Sequence, residues 1–172
     1  MIKNWFKILI NLLVFILLQV MLLNNIHLFN MVTPFIYIYV ILKAPISISR
    51  SQLVFLSFFL GIVIDLFSNT LGMHAAACSL IGILRQPLLL AFVDKDLVEG
   101  ITPSYQTLGT GVFMRYVLSM VVIHHLALFL IESVSLFDPG FLFLRIFTSI
   151  LLTTLCIFII EAFNIKRRSG EY

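Results

Sequence analysis

The chain has 172 residues, 61% of them hydrophobic and only 11% charged, with a net charge of +3 and a mean hydropathy of +1.12. Soluble domains carry about 25% charged residues, so this chain lacks the polar surface to cover a water-soluble globule and reads as an all-α integral membrane protein, one polytopic domain over 1–172. Five of its eleven basic residues cluster at the ends (Lys3 and Lys7; Lys166, Arg167 and Arg168) and no basic stripe runs between them, which argues against nucleic-acid binding and fits anchoring beside anionic membrane lipid.

A spanning helix needs about 20 largely apolar residues, and six segments approach that length. The first is Trp5 to Leu23. Lys3 and Lys7 before an apolar core resemble a secretory leader, but no small-residue cleavage pattern follows, so an uncleaved first span is expected. The second, Leu28 to Lys43, is short, with Pro34 expected in its first turn. Gln52 to Phe67 is the third. The fourth, Leu71 to Phe92, is interrupted by Arg85-Gln86-Pro87. Tyr105 to Ile131 and Phe141 to Phe163 complete the set.

Loop charges orient these spans. Lys43 and Arg50 lie between spans two and three, and Lys95 lies between four and five. The alternate loops, Asn24 to His27, Ser68 to Thr70 and Glu132 to Gly140, have no Lys or Arg. Positive charge marks cytoplasmic loops, so six spans with both termini cytoplasmic satisfy every loop. Val93 to Ser104 is the longest connection and the most highly charged.

Ionisable groups at membrane depth cost about 2.5–3.5 kcal/mol each on insertion scales and normally face protein or a hydrated recess. Arg145 is expected to pair across the turn with Glu132 or Asp138, and Glu161 with Arg167 or Arg168. Arg115, about ten residues into span five, and Arg85, before the proline, are expected to snorkel or pair. Asp65 is too short to snorkel. Ser68, Asn69 and Thr70 are good caps for span four, so Asp65 is not needed as a cap; hydration in an outer-facing recess or pairing with an arginine remains, and structural pairing is expected over chemistry.

Small residues at helical spacing surround Asp65. Gly61 precedes it by one turn and Gly72 follows the turn. Ala75 and Ser79 are four apart, as are Cys78 and Gly82, with His74 on the side of Cys78. Such spacing lets membrane helices approach closely. Arg145, Ser149, Thr153 and Cys156 make a weak polar stripe on span six, suited to interhelical hydrogen bonding. His124 and His125 point about 100° apart on a helix and cannot chelate one ion together. With no Gly-x-Ser-x-Gly and no His-Glu-x-x-His, no catalytic set is assembled, and neither a metal nor a cofactor is expected. Cys78 and Cys156 read as buried free thiols.

The run Gly61-Ile-Val-Ile-Asp65-Leu-Phe-Ser-Asn-Thr-Leu-Gly72-Met-His74-Ala-Ala-Ala resembles the signature of the rod shape-determining protein MreD family, in the form found in Bacteroides-type bacteria. Thr33-Pro34-Phe35 and Leu84-Arg85-Gln86-Pro87 extend the likeness over the chain, although the family often has arginine directly before proline. The resemblance implies a non-enzymatic, multi-pass protein of the bacterial inner membrane, with a fold similar to the substrate-binding subunits of energy-coupling-factor transporters. It implies a scaffold of the cell-elongation machinery, supporting cell shape and peptidoglycan synthesis. Its partner would be MreC, in a complex with MreB, RodA and its penicillin-binding transpeptidase. Gly61, Asp65, Gly72, His74, Arg85, Arg115 and Arg145 are the candidate packing and charge-pairing residues. The alternative is a small-molecule-binding membrane subunit of a transporter, with Asp65 and Arg115 lining one polar cavity.

Overall fold

The structure, a computed structural model, describes residues 2–23, 33–93, 101–133 and 139–169. The loop at Asn24 to His27, the start of span two, the charged part of the Val93 to Ser104 loop and Asp138 lie outside the described residues, as do the side chains of the two basic clusters. Among the described residues seven helices follow in order: α1 (Ile2–Met21), α2 (Ile38–Leu42), α3 (Arg50–Ser68), α4 (Met73–Phe92), α5 (Tyr105–Leu108), α6 (Thr110–Ser133) and α7 (Pro139–Ser169). Every regular element among the described residues is helical. Four helices, Arg50–Ser68, Met73–Phe92, Thr110–Ser133 and Gly140–Asn164, are long and apolar enough to cross a membrane. The protein is therefore an all-α membrane protein.

Helix boundaries follow local chemistry. Ser49 caps α3 by accepting from the Gln52 amide at 3.3 Å, while the Gln52 side chain accepts from the Ser49 amide. This reciprocal arrangement satisfies two donors that a helix start leaves free. Asn69 closes α3 in the left-handed conformation (φ 55°), and Gly72 opens α4 with φ 76°, a conformation that glycine adopts without Cβ strain. Ser104 and Thr107 cap α5 in the same reciprocal way as Ser49 and Gln52. A break at Gly109 then separates α5 from α6, so the expected fifth span begins at Thr110 rather than Tyr105.

The second expected span differs most. Among its described residues, 33–35 have no regular structure, 36–37 form a turn, and only Ile38–Leu42 is helical. Five residues rise about 7.5 Å, far short of a membrane crossing. Yet this central segment is the most enclosed part of the molecule, with every residue from Pro34 to Leu42 buried. It runs antiparallel to α1: Gln19 meets Pro34 and Ile36, and Phe15 stacks on Tyr39 at 5.1 Å. Around it, α3 and α4 form a tight antiparallel hairpin, α6 packs on α4, and α7 packs on α6. Large apolar side chains, among them Phe55, Phe143 and Phe163, cover the outside, as a lipid-facing surface requires.

Candidate functional site

Four of the candidate residues converge on the α3–α4 hairpin. A Cβ on Gly61 would sit 2.4 Å from Ala75 Cα and 2.6 Å from the His74 carbonyl oxygen. Only hydrogen fits there, so α3 and α4 touch backbone to backbone. One turn on, buried Asp65 reaches across to α4. Its Oδ1 accepts from the Thr70 hydroxyl at 2.6 Å and the His74 amide at 3.0 Å, and its Oδ2 accepts from the Ala75 amide at 2.9 Å.

The carboxylate therefore caps α4, satisfying two of the free amides of its first turn and opposing the positive end of its dipole. The expected arginine partner is absent: among the described residues Asp65 meets no cation. Helix α4 begins at Met73, two residues later than the sequence predicts. That shift removes Ser68 and Asn69 from capping range and turns Thr70 into a donor to Asp65.

His74 carries the hairpin into the central segment. The Tyr37 hydroxyl lies 2.7 Å from His74 Nδ1 and 3.0 Å from His124 Nε2. With a single proton it donates to one ring and accepts from the other. His124 Nδ1 is buried without a partner among the described residues. A bare lone pair is less costly there than an orphaned N–H, which favours His124 donating to Tyr37 and Tyr37 donating to His74. Cys78 Sγ stands 4.0 Å from His124 Nε2. His125 turns the other way, to the Val121 carbonyl at 2.8 Å and Thr153 Oγ1 at 3.1 Å.

The non-helical backbone of residues 34–36 cannot bond to itself. Gln19 supplies both halves of the missing pairing: its Nε2 donates to the Pro34 carbonyl and its Oε1 accepts from the Ile36 amide, each at 3.0 Å. Thr153 accepts from the Phe35 amide at 3.0 Å. Irregular backbone at membrane depth is tolerated where protein groups satisfy it in this way. Phe35 packs edge-on or tilted against His74, His124, His125 and Phe129.

The other end of the segment is held by charge. Arg85, 2% exposed, donates to the Ala44 carbonyl and to the Tyr116 hydroxyl, and Tyr116 donates to the Leu42 carbonyl at 3.2 Å. Arg85 thus serves the carbonyl end of α2, where a cation is favoured. It does not snorkel outward. Glu161 is likewise buried. It accepts from the Tyr39 hydroxyl at 2.6 Å and pairs with Lys43 at 2.9 Å; the side chains of Arg167 and Arg168, its expected partners, lie outside the described residues.

Arg115 and Arg145 stand apart from this network. Arg115 is exposed and donates to the Gly111 carbonyl within its own helix. Because α6 starts at Thr110, it lies only about 7.5 Å from the helix start. Arg145 pairs with Glu132 at 2.8 Å and lies over the Phe129 ring. Arg115 adjoins Tyr116, at the level of Arg85, whereas Asp65 sits at the level of His74. Eleven residues of α4 separate these levels, about 16 Å, so Asp65 and Arg115 do not line one cavity. Among the described residues, no group of three or more His, Cys, Asp or Glu could hold a metal ion.

No known protein family, curated protein or solved structure matches the chain. Its functional reading therefore rests on the geometry and the sequence. Gln19, Tyr37, Tyr39, Tyr116 and the pair Lys43–Glu161 are anchors that the sequence argument missed. Gln19, deep in the apolar second half of the first span, is the visible signal for one of them. What this network does chemically is hold an otherwise unpaired backbone in place.

Proposed function

We propose that the protein is a non-catalytic membrane scaffold of the bacterial cell-elongation machinery, with MreC as its direct partner and MreB, RodA and its transpeptidase in the same complex. One observation carries the scaffold reading: the buried charged side chains and the buried Gln19 and Thr153 are engaged in fixing the central segment and the α3–α4 hairpin. Asp65, Arg85, Gln19, Thr153 and Glu161 all bond internally. The exposed apolar faces of α1, α3 and α7 are then what the protein offers, and they suit helix-to-helix docking in lipid. Assignment to the elongation machinery rests on the resemblance of the Gly61 to Ala77 stretch to the MreD family.

In this proposal the chain sits in the bacterial inner membrane with both termini cytoplasmic. Residues 34–42 belong to the second crossing in this reading. Asp65 and Gly61 act by keeping the hairpin rigid, so that partner spans meet a fixed surface. Crosslinking and pull-down from native membranes tests this. Recovery of an MreC-type single-span protein is expected, and Asp65→Asn should lower it. Recovery of an energising ATPase module, or a small molecule identified by mass spectrometry in the purified protein, would overturn the scaffold in favour of a transporter subunit.

A further inference from the structure

Two grooves flank α3. One, of about 590 Å³, lies along its border with α1 and is lined by Leu12, Phe59 and Val63 among others. The second, of about 560 Å³, runs along the α3–α4 seam and is lined by Val54, Phe55, Phe58, Ser79, Ile83 and Pro87. They differ in charge. Ser51 and Phe55 border both, but the α1–α3 groove holds no charged side chain among its lining residues, whereas the α3–α4 groove includes Arg50.

Arg50 is the first residue of the apolar, membrane-length helix α3, so its guanidinium sits at the boundary of the hydrocarbon layer. Its Nε donates to Gln86 Oε1 at 2.8 Å. That bond ties the arginine to α4 across the seam and orients the plane of the guanidinium. The two terminal nitrogens have no acceptor among the described residues and remain exposed. Below the charge, the groove walls are Phe, Val and Ile side chains, with Ser79 turned back to the Ala75 carbonyl at 2.7 Å.

We infer that this groove is a binding site for one anionic phospholipid, its phosphate on Arg50 and Ser51 and an acyl chain along Val54, Phe58 and Ile83. The occupant follows from the charge pattern. A cation at interfacial depth above an apolar trough complements a molecule that is anionic at one end and hydrocarbon below. Basic pockets between membrane helices bind anionic headgroups by this logic. A partner helix would instead bring apolar side chains over Arg50 and strip its water without supplying an opposite charge.

Native mass spectrometry of the detergent-solubilised protein, titrated separately with phosphatidylglycerol and phosphatidylcholine, tests the site. Phosphatidylglycerol should bind about fivefold more tightly, the discrimination that one basic side chain gives at an anionic surface. Arg50→Gln should erase that preference. Ser79→Leu, which fills the groove and leaves Arg50 in place, should weaken both lipids. Equal binding of the two lipids by the unaltered protein, or an unchanged preference in Arg50→Gln, overturns the inference. A photocrosslinker placed at the position of Phe58 in cell membranes gives an independent reading. Adducts of phospholipid mass support the site, and adducts to a protein span overturn it.

Discussion

Replacing Asp65 with asparagine probes the hairpin with almost no change in shape. The carboxylate accepts three hydrogen bonds, two from the His74 and Ala75 amides and one from the Thr70 hydroxyl. An amide has one oxygen, so the two possible orientations must be compared. If the oxygen stays on the side of Thr70 and His74, the new NH2 group faces the Ala75 N–H, donor against donor. If the amide flips, Thr70 can rotate its hydroxyl to accept, but the His74 N–H is then opposed. Either way one buried amide is orphaned. That costs about 1–3 kcal/mol, and losing a charge at a partly buried helix start adds up to about 2 kcal/mol. Neutralising a buried carboxylate returns part of this as relieved desolvation, so a net loss of about 2 kcal/mol is expected. Unfolding of the purified protein in mixed detergent micelles titrated with dodecyl sulfate measures it, and hydrogen exchange at His74 and Ala75 locates it. A loss below about 0.5 kcal/mol, or unaltered exchange at both amides, would refute the capping role.

Gly61→Ala should destabilise more than Gly82→Ala in the same assay. The added Cβ meets Ala75 backbone at 2.4 Å in the first case, whereas its nearest contact in the second is the Ser57 hydroxyl at 2.7 Å, a side-chain atom that rotates away; overpacking of this kind costs about 1–3 kcal/mol. Gln19→Glu should be milder than Gln19→Leu, because the neutral acid can still donate its hydroxyl to the Pro34 carbonyl and accept from Ile36, while leucine leaves Ile36 and Pro34 both unpaired. Each orphan costs about 1–3 kcal/mol, and equal losses in the two variants would argue against this pairing. Arg145→Gln should change stability by no more than about 1 kcal/mol, since both members of its ion pair with Glu132 are partly exposed. Glu161→Gln should cost more, because Glu161 is buried between Tyr39 and Lys43; a double-mutant cycle with Lys43→Met reads their coupling.

The parts of the fold legible in the sequence were those with a one-dimensional signature. Long apolar runs give α3, α4, α6 and α7, and Gly61 and Gly72 mark the close approach and turn of the hairpin. The Arg145–Glu132 pair is short-range and was expected across its turn. The central segment was misread because a buried apolar run looks the same whether helical or extended. Its β-branched and aromatic residues and Pro34 were compatible with both. What decides the matter is Gln19, Thr153 and Arg85, which satisfy the segment from three different helices. A sequence shows that such polar residues exist, but not which backbone they reach. The two-residue error at the start of α4 had larger consequences, since it reversed the role of Asp65 from ion-pair member to cap.

The dependence of residues 34–42 on distant side chains sets an order on biosynthesis. The Phe35 amide bonds to Thr153, 118 positions later, and the Tyr39 hydroxyl to Glu161, 122 positions later. At ribosomal rates of about 5–20 residues per second, the first of these acceptors follows Phe35 by about 6–24 s. Throughout that interval the segment cannot complete its hydrogen bonding by becoming part of the finished bundle. It must wait at the bilayer surface, in the insertion machinery or as a transient helix, until the last span arrives. The C-terminal helix thus acts as the closing step of assembly, and chains truncated before Thr153 should be cleared by membrane proteases even though α1, α3 and α4 are already complete.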